Sequence, residues 1–259
     1  MRLSGKSAVV TGGSGGIGAP LVSLLLAEGA TVTVIGRQPP ASAVAGYVAA
    51  DLASSEGLST ACGTVEEISP DMLVCLAGAQ YFGPFAEQPS EEIDAAYRVN
   101  LLAPTQLARA ALSSMLKRRS GHVLFAGSVF GALPFAHFAT YSSAKAGLAA
   151  MILALRREYD GCGITFTCAV PRAVRTSMAS ETIRRFADMA GFRLDAPEDV
   201  ARRIAAVLMQ GGGEVAPGFP ESLLMRLNAL SPALTSRALA GSNRKARKLL
   251  SQTIRSSHQ

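Results

Sequence analysis

The chain has 259 residues, 49% of them apolar, and a formal net charge of +6. That length can bury one large core, and no run of ~18 uncharged apolar residues is present to cross a membrane. The first residues lead into a strand without a signal-peptide apolar region. The four cysteines (Cys62, Cys75, Cys162, Cys168) lack C-x-x-C spacing, and the three histidines are scattered. A disulfide framework and a metal site are therefore not expected, and a reduced, cytoplasmic setting is. The charge is uneven: from Phe219 onward seven basic residues stand against Glu221 alone, while residues 1–218 are neutral.

Ser7 to Thr11 is a β-branched apolar run that predicts a buried strand. It meets the glycine turn Gly12-Gly13-Ser14-Gly15-Gly16-Ile17-Gly18, then helical spacing from Ala19 to Ala27 with Pro20 in the first turn. Strand, glycine turn and helix together lay backbone N–H groups and a helix N-terminus against a pyrophosphate. Thr31 to Ile35 is the second strand, ending in Gly36-Arg37 where many dinucleotide folds carry a carboxylate for the ribose hydroxyls. A guanidinium there suits a 2′-phosphate and favours NADP over NAD. Its alternative is a solvated turn residue. Pro39-Pro40 leaves no room for a full helix before the third strand, Tyr47 to Ala50. Asp51 then either accepts from an adenine amino group or caps the helix starting near Ser54.

Met72 to Leu76 is the fourth strand, closing at Ala77-Gly78. One helix is expected from Ser90 to Asn100 and another from Pro104 to Lys117. His122 to Ala126 is the fifth strand, followed by Gly127-Ser128 and a loop over 129–140. The helix carrying Tyr141 and Lys145 runs to about Tyr159, and Ile164 to Ala169 is the sixth strand. The stretch 174–194 shows no clean periodicity and reads as a mobile flap. Pro197 to Gln210 is a helix, and Glu214 to Ala216 a short last strand. Strands alternating with helices mean a parallel sheet covered on both faces. The glycine turn, Arg37, Asp51, Ala77-Gly78, Ser128 and Pro171 all fall at strand carboxyl ends, where ligands of such sheets bind.

Tyr141 and Lys145 lie one helical turn apart on one face. An ammonium beside a phenol is expected to lower its pKa and ready it for proton transfer.

Thr11-Gly12-x-x-x-Gly16-x-Gly18, Asp51-Leu52, Ala77-Gly78, Asn100, Ser128, Tyr141-x-x-x-Lys145 and Pro171-x-x-Val174-x-Thr176 together resemble the short-chain dehydrogenase/reductase family over residues 5–218. The resemblance implies a Rossmann-type doubly wound parallel sheet of about seven strands and hydride transfer between nicotinamide and a carbonyl or alcohol. It implies Tyr141 as general acid/base, Lys145 as its modulator and ribose contact, Ser128 as the hydroxyl polarising the substrate and Asn100 as anchor of a relay water. It implies cofactor contacts at Gly12, Ser14, Gly16, Ile17, Gly18, Arg37, Asp51, Leu52, Ala77, Gly78, Tyr141, Lys145, Pro171 and Val174, with Thr176 on the carboxamide. Dimers or tetramers are also implied.

Three positions depart from the pattern. Cys75 and Leu76 replace two asparagines, so packing is expected to replace their bracing. Arg172 replaces a glycine, and could meet cofactor phosphate, an acidic substrate group or solvent. Gly15 stands where NADP users often carry a base, so the NADP preference rests on Arg37.

The expected organisation is a dinucleotide-binding domain over 1–218 and a basic, partly apolar helical extension over 219–259. Phe219, Leu223, Leu224, Leu227, Leu230, Leu234 and Leu239 are spaced as an apolar helical face. The extension is either a docked helix or dimer contact, or an attachment to an anionic membrane surface. Nucleic acid is not expected, since no aromatic platform accompanies the charge. Phe82, Phe85, Phe130, Leu133, Phe135, Phe138 and Met178 are expected around an apolar pocket. The function expected is an NADP(H)-dependent oxidoreductase for a largely apolar ketone or alcohol, a 3-oxoacyl-type ketone being favoured. The alternative is a catalytically idle NADP-binding sensor or scaffold acting through its tail.

Overall fold

The computed structural model describes residues 2–257, with side chains described to residue 252. Of the basic tail residues, the Arg255 side chain lies outside the described ones, as do the last two residues of the extension. Six strands form one parallel sheet in the order β3-β2-β1-β4-β5-β6: β1 (Ser7–Thr11), β2 (Thr31–Gly36), β3 (Gly46–Ala49), β4 (Met72–Cys75), β5 (Gly121–Ala126) and β6 (Ile164–Ala169). β1 pairs with β2 on one side (Val9 beside Thr33) and β4 on the other (Val9 beside Leu73), so the order reverses at its carboxyl end. A crevice opens at such a reversal, and it is where this class of sheet takes its ligand.

Seven strands were expected. The seventh survives only as one parallel bridge, Ala169 to Val215, beyond β6. Gly211, Gly212 and Gly213 all have positive φ, so the chain turns sharply until just before Val215. Three residues after that turn are too few for a ladder, and Val215 is held by burial in the core.

Alternate strand residues point to opposite faces, and each face meets its own helices. Val9, Leu73, Val123 and Phe125 pack under α2 (Ser55–Ile68), α4 (Ala103–Arg118) and α6 (Ala139–Glu158). Ala8, Val10, Val34 and Leu124 pack under α1 (Gly18–Ala27) and α8 (Pro197–Met209). Cys75 joins the first core and Leu76 packs against the second, so the two apolar replacements brace the sheet by packing. All four cysteines are free.

Two helices expected apart are one path. α3 (Ser90–Tyr97) continues through a π-turn, Arg98–Leu102, into α4. Within it the Ala103 amide bonds the Arg98 carbonyl, five residues back. Pro104 has no N–H to give at this point, and the wider turn accommodates that loss. The expected flap is likewise ordered as α7 (Glu181–Ala190), capped by Ser180 and closed by left-handed Gly191. Its apolar residues Ile183, Phe186, Ala187 and Ala190 follow helical spacing, with Arg184, Arg185 and Asp188 between them, as in an amphipathic helix; the irregular residues before and after it blur that period over 174–194.

The loop after β5 contains the short α5 (Val129–Ala132). The extension forms α9 (Glu221–Leu230) and α10 (Pro232–Ser257). α10 turns Leu239, Ala246 and Leu249 onto a third apolar cluster with Phe135, Phe138 and Phe186.

Candidate active site

The glycine turn is shaped by close backbone approach. Gly12 has φ +70°, and a Cβ there would lie 2.9 Å from the Ala77 amide nitrogen. A Cβ on Gly18 would lie 2.1 Å from the Gly12 carbonyl oxygen, so α1 can start against the turn only with glycine there. The start of α1 has no side-chain cap and no carboxylate in its first turn. Its N–H groups and positive dipole end can therefore serve a phosphate, so the residues fit a dinucleotide pyrophosphate. The Gly12 amide donates to the Ile35 carbonyl at 3.1 Å, setting the turn beside the end of β2, where Arg37 is exposed.

Of the two roles left open for Asp51, the cap of α2 falls to Ser54. Ser54 caps α2, accepting from the Gly57 amide at 2.9 Å, and Asp51 accepts from the Ala53 amide at 3.0 Å. Leu52 beside it is buried in the core.

Contacts at the carboxyl edge tie the other sequence-predicted residues together. Thr176 covers the glycine turn so closely that a Cβ on Gly16 would come within 2.5 Å of its methyl. Met178 covers Gly78 in the same way, at 3.0 Å, with the Asn100 oxygen at 3.2 Å. Asn100 is fully buried, and its amide donates to the carbonyls of Ala79 (2.6 Å) and Ala96 (2.8 Å). It thereby serves a backbone group of the helix it interrupts and holds the chain after β4. The Ala77 amide donates to the Thr11 hydroxyl at 3.3 Å, joining β4 to β1.

Ser128, two residues beyond β5, has extended backbone and caps α5, accepting from the Phe130 amide at 3.1 Å. That bond occupies a lone pair and leaves its proton to donate. Tyr141 stands in the first turn of α6. Burial pushes its pKa above the usual phenol value, and a hydrogen bond with Ser128 pulls the other way. Lys145 is buried one turn on. Its ammonium donates to the Ala126 carbonyl at 2.8 Å and lies 5.7 Å from the Tyr141 ring centre. Burial lowers the lysine to about 8. The expected depression of the tyrosine by the lysine is thus not met: desolvation outweighs it, because the ammonium is turned to a backbone carbonyl. Ala126 and Ala79, which hold two candidate site residues, could not be flagged in the sequence, since they act through the backbone alone.

The short chain dehydrogenase family model matches residues 6–185, more than half of the chain. The chain belongs to the short-chain dehydrogenase family. A 3-oxoacyl-[acyl-carrier-protein] reductase, FabG, from Escherichia coli (strain K12) is 30% identical over 79% of this chain and 90% of its own. A short chain dehydrogenase from Pseudocercospora fijiensis is 32% identical over 69% of this chain, which spans 63% of that relative's length. A solved short-chain dehydrogenase from Streptomyces avermitilis shares the fold, with a TM-score of 0.75 at 24% identity over 93% of this chain and 98% of that one. Membership places the domain among oxidoreductases that bind a nicotinamide cofactor and act at CH–OH or C=O groups.

In this short-chain dehydrogenase the side beyond Tyr141 is aromatic. Phe130 meets the Tyr141 ring edge-on at 6.5 Å, and Phe82 stacks on Phe138 (4.7 Å) and Phe186 (5.3 Å). Phe135 joins the same cluster and Leu133 is buried, whereas Met178, over Gly78, is 40% exposed and Phe85 62%. Phe186, Phe192, Ala246 and Leu249 were missed, and Leu239, expected on the apolar face of the extension, joins them. Apart from Phe192, just beyond α7, their signal was the apolar spacing on α7 and α10, here turned toward the same cluster.

Of the three readings of Arg172, the one of a side chain simply turned to solvent is not met. It is paired with Asp195, at the end of the loop leading into α8, and with Glu221 of α9. Asp195 lies 23 residues on, bridged by its backbone to Val174, so the pair depends on folding and not on local sequence. A cleft of about 380 Å³ beside Tyr159 and Ile164 lies at the amino end of β6, opposite the edge these residues occupy.

Proposed function

We propose that the chain is an NADP(H)-dependent oxidoreductase that moves hydride between nicotinamide and a carbonyl or secondary alcohol of a largely apolar substrate, a 3-oxoacyl-type ketone being favoured. The observation that carries this reading is the buried Tyr141 phenol, whose pKa hydrogen bonding to Ser128 lowers against the effect of burial, one turn from buried Lys145 at the carboxyl edge of the sheet. The FabG relative's name and the phenylalanine lining support the substrate class.

The first turn of α1 and the backbone of Gly12, Ser14, Gly16, Ile17 and Gly18 would hold the pyrophosphate. Arg37 would pair with the 2′-phosphate, where β2 supplies no carboxylate to repel it. Asp51, Leu52, Ala77 and Gly78 would flank the adenosine side, and Pro171, Val174 and Thr176 the nicotinamide side. The nicotinamide, when bound, supplies the hydride.

Negative charge then grows on the substrate oxygen, and the Ser128 and Tyr141 hydroxyls donate to it. Tyr141 gives up its proton at that oxygen. Lys145, at about 8, stays mostly protonated at neutral pH and can return a proton to the phenol. Asn100, fixed by Ala79 and Ala96, retains lone-pair capacity on its oxygen for a relay water. Homo-oligomers and a cytoplasmic setting belong to the same reading.

The test is Tyr141→Phe, followed by NADPH fluorescence decay across a panel of ketones. Turnover should disappear while NADPH still binds. Full turnover in the variant would reject the role. Silence of the wild type on every ketone, with tight NADPH binding, would favour the sensor.

A further inference from the structure

We infer that the outward faces of α9 and α10 form a docking surface for an anionic lipid bilayer. Large apolar side chains stand in water there: Phe219 is 75% exposed, Leu230 84% and Leu234 55%, with Leu223 also exposed. They fall on the turn before α9, on α9 and on the first turn of α10, so they follow one another along a single stretch of chain. Basic residues accompany and follow them. Arg226, Arg237, Arg244, Lys245, Arg247 and Lys248 are all exposed, and among the described residues no ion pair reaches any of them.

The way the helices are fastened sorts these groups. Thr235, Leu239, Ala246 and Leu249 make the inward stripe of α10, and at about 100° per residue Arg237, Arg244 and Lys248 fall on the opposite side. Asn228 donates to the Ala132 carbonyl at 2.9 Å and Lys245 to the Met189 carbonyl at 2.7 Å, holding that orientation. The one carboxylate of the extension, Glu221, is turned to Arg172 at 4.0 Å. The outward charge is thereby of one sign.

A surface both cationic and apolar matches an anionic bilayer, whose headgroups take the charge and whose acyl boundary takes the phenylalanine and leucines. A second copy of the chain would bring like charge against like. An acidic protein would satisfy the arginines and leave Phe219 and Leu230 without a comparable medium. No helix among the described residues is long and apolar enough to cross a membrane, so the contact is one of lying on the surface.

The test is co-sedimentation of the full chain with phosphatidylcholine vesicles, with and without phosphatidylserine, at low and high salt. Wild type should pellet with phosphatidylserine vesicles and be released by salt. Arg237→Glu/Arg244→Glu/Lys248→Glu should weaken binding by at least about 100-fold, from about 1 kcal/mol for each charge lost. Phe219→Ser/Leu230→Ser should bind less at every salt concentration. Circular dichroism and NADPH binding should be unchanged in both variants, which separates this surface from the proposed reaction. Equal pelleting with both vesicle types, no pelleting with either, or an unaltered triple variant would overturn the inference. Failure to pellet combined with capture by a purified acidic protein would assign the surface to that other partner.

Discussion

Arg172 holds Asp195 through two nitrogens, Nε at 3.1 Å and Nη2 at 2.5 Å from Oδ1, while Nη1 stands 4.0 Å from Glu221. The loop after β6, the entry to α8 and the start of α9 thus share one guanidinium. Arg172→Gly removes that junction and loosens the chain beside Pro171. The expected cost is about 1–2 kcal/mol, reduced from a buried charge-assisted bond by partial solvent exposure. Melting should fall by roughly 2–8 °C. Hydrogen exchange should accelerate over Glu221–Leu230; unchanged exchange there would show that the extension is held by other contacts.

Arg37→Ala should lower NADPH affinity by about 10–100-fold, the worth of a charge-assisted bond to phosphate, and leave NADH nearly unaffected. Titrating both cofactors against wild type and variant measures the difference. Equal losses for the two would remove Arg37 from the 2′-phosphate.

His122 gives the fold an acid sensitivity. Its Nε2 pairs with the Thr167 hydroxyl at 2.9 Å, and burial lowers its pKa from 6.5 to about 4. The fold prefers the neutral ring, so between these values the unfolded chain binds the extra proton. Stability therefore falls as pH drops through that window, by up to about 3 kcal/mol. His122→Phe should be less sensitive than wild type to a change from about pH 7 to about pH 5 in thermal melts. Parallel losses in both proteins would assign the acid response to other groups.

Two glycines should respond to alanine with opposite signs. Gly18→Ala sets a methyl 2.1 Å from a backbone oxygen, which no rotamer can relieve, and should abolish NADPH binding. Gly63 lies inside α2, exposed, with no atom within 4 Å of where a Cβ would sit. Gly63→Ala should add about 1 kcal/mol and raise melting by roughly 2–4 °C. Calorimetry distinguishes the two.

The sheet was readable because its strands are short apolar runs ending in glycine or small polar residues, and burial on both faces demands that pattern. Tyr141, Lys145 and Ser128 were readable because one spacing on a helix and one strand end place them. The direction of the Lys145 ammonium was not, because the Ala126 carbonyl it meets comes from another element. The Arg172–Asp195 pair was hidden for the same reason. α7 was hidden because its ten residues sit between irregular stretches on either side, and its apolar stripe finds its use only against Phe82, Phe135 and α10, which come from other parts of the chain.

The π-turn at Arg98–Leu102 sets the phase of everything after it. One extra residue in a helical turn advances the following side chains by about 100°. Deleting a single residue there would give a straighter, more regular rod, yet it would swing Leu107, Ala111 and Met115 off the sheet they now face. The irregular turn is what lets one end of this rod carry Asn100 to the chain after β4 while the other end lines the interior.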